Sequence, residues 1–165
     1  VSAFGKRGIN PATQKSFLLM KELKETVSLE DFCKEWKTKP PAFPLKRKII
    51  NEVARIARTM HQNGINHRDF YICHFLLSKL ENFKLYLIDL HRASIHRRLR
   101  QRWIIKDLAG LYFSSKGIGL TQRDLYRFIK AYHQQPLRAI IATESNLWSK
   151  TVARGEKLHG AHAIY

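Results

Sequence analysis

The chain has 165 residues, 44% of them apolar, which suffices for the core of one domain and excludes a disordered polyelectrolyte. Lys and Arg number 30 against 13 Asp and Glu, a formal net charge of +17, and this calls for an anionic partner: phosphate, nucleic acid, an acidic protein or an anionic membrane face. Cys33 and Cys73 form no C-x-x-C pattern, so no disulfide framework is expected, and the apolar runs are too short to span a bilayer.

Residues 1–16, with their Gly, Asn and Pro, read as irregular. The start carries no signal-peptide apolar region and no Met, and reads as the interior of a longer chain. Phe17-Leu18-Leu19-Met20 predicts a short apolar strand. Ser28-Leu29-Glu30-Asp31 predicts a capped helix start, anchored by Phe32 and Trp36 and ended by Pro40, Pro41 and Pro44. From Leu45 to Asn63, Ile49, Ile50, Val53, Ile56, Ala57 and Met60 recur at helical spacing, and Gly64 suits the C-terminal cap.

A loop follows from Ile65 to His74. Phe75-Leu76-Leu77, a polar turn near Glu81-Asn82, and Lys84 to Ile88 then predict a hairpin. Residues 91–102 are basic and poor in apolar positions. Ile104 to Phe113 reads as a buried helix. Thr121-Gln122-Arg123-Asp124 opens another, with Leu125, Phe128, Ile129 and Tyr132 as its apolar stripe, and the tail from Pro136 reads as an amphipathic helix.

The chemistry gathers around His67-Arg68-Asp69, which follows the long helix and precedes the hairpin, whose second strand ends in Asp89. Protein-kinase-like enzymes use this order. One Asp on a loop accepts the substrate hydroxyl proton, and a second at a strand end binds the Mg²⁺ that bridges the ATP phosphates. On this reading Asp69 is the catalytic base and Asp89 the metal ligand. Upstream, Met20, Lys21, Glu22 and Leu23 fall where a hinge would hold adenine. Downstream, Asp107 falls where a buried carboxylate would accept hydrogen bonds from the catalytic loop, a structural role that His67 and Arg68 would share. Arg92, Arg97, Arg98, Arg100 and Arg102 lie just past Asp89 and suit acceptor phosphates or carboxylates.

The runs Asn63 to Leu77, Tyr86 to Ala93 and Lys106 to Phe113 closely resemble the Kdo/WaaP lipopolysaccharide kinases, and within them the core heptose kinases. The resemblance covers most of the chain and weakens after about residue 140. It implies an α+β, protein-kinase-like fold, mainly the helical C-lobe with hinge and catalytic-loop hairpin. Residues 1–24 would end an N-lobe strand and hinge, and 25–165 would form the C-lobe. It also implies ATP and Mg²⁺, a heptose hydroxyl of the lipopolysaccharide inner core as acceptor, and a cytoplasmic site, peripheral at the inner face of the cytoplasmic membrane. The basic surface suits that anionic membrane or a small acidic protein as partner.

Three departures from the general kinase pattern matter. His74 stands where kinases carry a metal-binding Asn, and imidazole is a poor Mg²⁺ ligand, so it either completes the metal shell or bonds the catalytic loop. Asp89-Leu90-His91 replaces Asp-Phe-Gly, which argues against a phosphorylation-controlled switch. No Gly-rich phosphate loop, strand lysine or partner glutamate can be placed, and Gly5-Lys6-Arg7-Gly8 is a weak lookalike. The segment alone is therefore expected to be inactive. The alternatives are a kinase of the same fold acting on another sugar such as Kdo, or a basic non-catalytic module binding anions or nucleic acid. No nucleic-acid motif occurs, so that partner is not expected. A metal module built from Cys33, His67, Cys73, His74, His91 and His96 fits no zinc spacing.

Overall fold

The computed structural model describes residues 2–10, 12–79 and 83–162. Two antiparallel strands come first, β1 (Ala3–Arg7) and β2 (Lys15–Leu19), in register from Ala3 opposite Leu19 to Arg7 opposite Lys15. Residues 2–10 and 12–16 are thus not irregular. Gly8 and Asn10 lie in the turn of a hairpin: Gly8 takes φ +106°, and Asn10 Oδ1 accepts from Ala12 N–H at 3.0 Å. Met20 lies beyond the strand.

A second sheet holds β3 (Thr26–Ser28), β5 (Phe75–Ser78) and β6 (Leu85–Leu87), with β5 central and both pairings antiparallel. The β5–β6 hairpin is the expected one, although its turn near Glu81-Asn82 lies outside the described residues. Strand β3 was not expected, because three residues are too short to show alternation. β4 (Ile65–Asn66) pairs with β7 (Ser94–Ile95), also antiparallel. This small ladder brings the basic segment after Asp89 back against the residues that precede His67. The basic segment is therefore not all open loop, and it also supplies the start of the next helix.

Helix α1 (Leu29–Phe32) is only one turn. Ser28 caps it, its Oγ accepting from Asp31 N–H at 3.0 Å, and Trp36 packs in the turns that follow. Helix α2 (Phe43–Gln62) takes Pro44 into its first turn, where a missing N–H costs nothing. It buries Ile49, Ile50, Val53, Ala57 and Met60 of the expected face and leaves Ile56 half-buried, with Ala54, Lys46 and His61 buried in addition. Gly64 follows at φ +76°, and a Cβ there would stand 2.1 Å from the His96 carbonyl oxygen, so glycine is required twice over.

Helix α3 (Gln101–Ser115) begins three residues before the expected Ile104 and places Asp107, Leu108, Ala109 and Leu111 in the core. Helix α4 (Gln122–His133) opens with the Thr121–Asp124 capping box. Of its predicted stripe only Tyr132 is fully buried; Leu125, Phe128 and Ile129 are half-buried. Helix α5 (Leu137–His162) buries Ile140, Leu147, Thr151 and Gly155 on one face. Gly155 lets α5 approach α3, since a Cβ would meet the Tyr112 ring at 2.5 Å. The core joins α1, α2, α3 and the central sheet around Cys33, Ala54, Phe70, Phe75 and Leu108.

Candidate active site

The loop that carries Asp69 is built on a buried carboxylate. Asp107 is fully buried on α3, and its two oxygens accept the backbone N–H groups of His67 (2.8 Å) and Arg68 (2.9 Å). A buried carboxylate needs such donors, and the loop needs the acceptors, because Arg68 sits at φ +76°, a conformation costly for a side-chain-bearing residue. His61, from the last turn of α2, lies with Nε2 3.4 Å from the same carboxylate and Nδ1 2.8 Å from the Tyr132 hydroxyl. The carboxylate can only accept, so Nε2 carries the proton and Nδ1 accepts from the tyrosine. Burial pushes the Tyr132 hydroxyl pKa up and keeps it a donor.

His67 is fully buried, and its Nε2–H donates to the Ile88 carbonyl at 2.9 Å. The loop before Asp69 is thereby fixed to the strand end before Asp89. His74 makes the second link. It closes a short 3-10 turn (Ile72–His74), its Nδ1–H donates to the Asp69 carbonyl at 2.7 Å, and its Nε2 lies 3.3 Å from Asp89 Oδ2. Ile88 N–H donates to the His74 carbonyl at 3.0 Å. The rings of His67 and His74 stack with centroids 5.7 Å apart. Arg92 makes the third link, with Nη1 2.9 Å from Asp69 Oδ1.

Asp89 takes a left-handed conformation, φ 63°, at the start of a second 3-10 turn (Leu90–Arg92). The hydrogen bond from the His91 imidazole holds its carboxyl below the usual carboxylate range, with His74 and His67 adding to the effect. It is an exposed, ionised oxygen donor, the type that suits a hard divalent cation. Among the described residues no cluster of three or more His, Cys, Asp or Glu side chains could cage a metal. One carboxylate with His74 beside it nevertheless fits Mg²⁺, which keeps several waters and takes further ligands from substrate phosphates.

A family model described as the lipopolysaccharide kinase (Kdo/WaaP) family matches residues 1–132. The chain belongs to that family. It is 50% identical over 161 residues to the lipopolysaccharide core heptose(I) kinase WaaP of Escherichia coli, covering 94% of this chain and 61% of that protein. With the Pseudomonas aeruginosa protein of the same name it shares 46% over 162 residues, 95% of this chain and 60% of the relative. The chain thus spans about 60% of the length of the curated relatives it matches. A solved structure described as WaaP in complex with acyl carrier protein superposes with a TM-score of 0.86 at 46% identity, over 94% of this chain and 66% of that one.

In this Kdo/WaaP chain the remaining predicted residues scatter. Met20 to Leu23 follow β2 without regular structure and are exposed. Of the five arginines past Asp89, all among the described residues, only Arg92 contacts Asp69 or Asp89. Arg98 and Arg100 border a cleft with Tyr132, His133 and Glu144. Arg97 is exposed, and Arg102 lies over the Trp103 ring at 4.9 Å, where Arg68 (5.8 Å) and Lys106 (6.0 Å) also converge. An apolar cavity of about 150 Å³ lies among α1, α2, α3, α4 and α5, and neither Asp69 nor Asp89 lines it. His61 and Tyr132 were missed as supports of the site. The legible signal was a histidine inside the apolar face of α2.

Proposed function

We propose that the protein transfers the γ-phosphoryl group of ATP to a heptose hydroxyl of the lipopolysaccharide inner core, using the residues of this chain as the catalytic half of a protein-kinase-like fold. Residues 25–165 form its C-lobe, and residues 1–24 form the strand and hinge, with Met20 to Leu23 along the adenine. The observation that carries the reading is the double tie of His74, to the Asp69 carbonyl and to the Asp89 carboxylate. It joins a base on a loop to a metal carboxylate at a strand end, in a chain whose relatives are named as heptose kinases.

Asp69 accepts the proton of the acceptor hydroxyl as its oxygen bonds to the γ-phosphorus, and the bond to the bridging oxygen breaks with its electron pair leaving on ADP. Mg²⁺ would be held by Asp89 with His74 beside it, and when bound would neutralise charge on the phosphate oxygens. Asp107, His67 and Arg68 keep the loop in place. Arg97, Arg98, Arg100 and Arg102 draw in the anionic acceptor, while the Arg92 guanidinium lies on Asp69. Among the described residues no helix is long and apolar enough to cross a membrane, which suits peripheral attachment to an anionic inner-membrane face. The net charge of +17 also suits a small acidic protein, and the solved relative in complex with acyl carrier protein supports that class of partner.

The test is transfer from labelled ATP to a lipid-linked heptose acceptor by the whole protein, beside Asp69→Asn and Asp89→Asn. Loss of transfer in both variants, with unchanged melting, is expected. Full transfer by either would overturn the assignment.

A further inference from the structure

Arg92 differs from the other arginines of its stretch. Its guanidinium reaches back 23 residues to lie 2.9 Å from Asp69 Oδ1. Its backbone belongs to the turn that starts from Asp89, closed by Ala93 N–H donating to the Leu90 carbonyl at 3.0 Å. The side chain is 50% exposed, against 17% for Asp69. A guanidinium carries five N–H donors in a fixed fork, and the contact with Asp69 uses one. The loop after Asp69 reads Phe70-Tyr71-Ile72-Cys73-His74 and contains neither Lys nor Arg.

We propose that Arg92 is a catalytic residue that binds the transferring phosphoryl group while holding Asp69 in its reactive orientation. The proposal rests on the phosphotransfer reading above and adds a role to it. With Oδ1 held by Arg92, Oδ2 is the oxygen left to take the acceptor proton. In-line transfer carries the phosphoryl group from the nucleotide on the Asp89 side to the hydroxyl on the Asp69 side. Arg92 is anchored at both: its backbone follows Asp89, and its guanidinium sits on Asp69. Its remaining N–H groups are therefore within reach of the oxygens that carry negative charge in the loose transition state, where a fixed cation stabilises most. Arg92 keeps all its protons. The proton goes to Asp69, the new bond joins the acceptor oxygen to phosphorus, and the old bond's electron pair leaves with ADP.

The test compares the whole protein with Arg92→Gln, Arg92→Lys and Asp69→Asn, measuring kcat and KM for acceptor, ATP hydrolysis to water without acceptor, and melting. Arg92→Gln should lower kcat by about 10²–10³-fold and hydrolysis in parallel, with acceptor KM nearly unchanged. Arg92→Lys should retain more. Binding of ADP with aluminium fluoride, a mimic of the phosphoryl in flight, should weaken in Arg92→Gln while ATP affinity holds. Arg92→Gln that raised acceptor KM and kept kcat would make Arg92 an acceptor anchor and overturn the proposal. Unchanged kcat and fluoride-complex binding, beside an inactive Asp69→Asn, would sink it and leave the phosphotransfer reading standing. If the unaltered protein moved phosphate to neither acceptor nor water, both would fall.

Discussion

His74 turns Nε2 toward Asp89 Oδ2 at 3.3 Å, while its Nδ1 stands 2.7 Å from the Asp69 carbonyl oxygen. A carbonyl can only accept, so Nδ1 carries the proton, and in the neutral ring Nε2 presents a lone pair to a carboxylate. Two acceptors face to face repel unless a positive charge sits between them, either a second proton on Nε2, which makes the contact an ion pair, or a bound cation. Two donors about 3.3 Å apart also have the spacing of adjacent ligands on one cation at about 2.1 Å. His74→Leu should therefore weaken Mn²⁺ binding, followed by electron paramagnetic resonance, by about 10-fold or more, and His74→Asn should lose less. Equal Mn²⁺ affinity in all three proteins would leave His74 with the Asp69 loop only.

Asp69→Asn keeps the shape of the side chain and removes the carboxylate proposed as the base. Turnover should fall by about 10²–10⁴-fold with melting unchanged. The Arg92 contact would persist to a neutral oxygen, so a large drop in melting temperature would mean that the Asp69–Arg92 pair is chiefly structural.

Asp107→Ala leaves the N–H groups of His67 and Arg68 without their acceptors inside the protein. Each orphaned buried donor costs about 1–3 kcal/mol, and Arg68 would lose what compensates its positive φ. A urea midpoint lowered to match about 2–5 kcal/mol is expected, with Asp107→Asn milder because one oxygen remains. A midpoint within error of the unaltered protein would show that the loop holds itself.

Neutralising Arg97, Arg98 and Arg100 together should raise KM for a lipid-linked acceptor and leave that for ATP little changed. Among the described residues these side chains have no carboxylate partner, and two of them border the cleft with Glu144. A change confined to the ATP constant would remove them from acceptor binding.

Much of the candidate site's arrangement was legible because its pieces are local in sequence. Asp69 and His74 share one loop, Asp89 follows the adjoining strand by two residues, and Asp107 sits in a helix with a plain apolar pattern. The β4–β7 ladder was not legible, since two residues per strand show no periodicity and pairing Asn66 with Ser94 depends on Gly64 turning the chain. The β1–β2 hairpin was missed for a different reason. Its residues are exposed on nearly every position, so burial imposes no alternation on them. The His61–Asp107 and Lys46–Asp124 contacts join residues 46 and 78 apart, and a polar residue on an apolar face shows only that a partner exists.

That last pair sets an acid limit on the fold. Lys46 Nζ lies 2.8 Å from Asp124 Oδ2, between α2 and α4, with both side chains almost fully buried. Burial would raise the Asp124 pKa, but the hydrogen bonds from Lys46 and Thr121 outweigh it and bring the carboxyl from 3.8 down to about 2. Arg127 adds a contact to Oδ1 at 2.6 Å. The folded pKa is depressed below the unfolded value, so the stabilisation is complete above about pH 4 and is lost as pH falls toward 2. It amounts to about 2 kcal/mol. Urea midpoints at pH 6, 4 and 2 should fall mainly over the last interval for this group. In Asp124→Asn the contribution to that acid slope should vanish, and the midpoint at pH 6 should already be lower. Lys46→Met should cost about 3–5 kcal/mol at pH 6, at the low end because Arg127 remains, since it strands a buried carboxylate. If Asp124→Asn kept the full slope between pH 4 and 2, the acid sensitivity would belong to other carboxylates and the pair would be no more than packing.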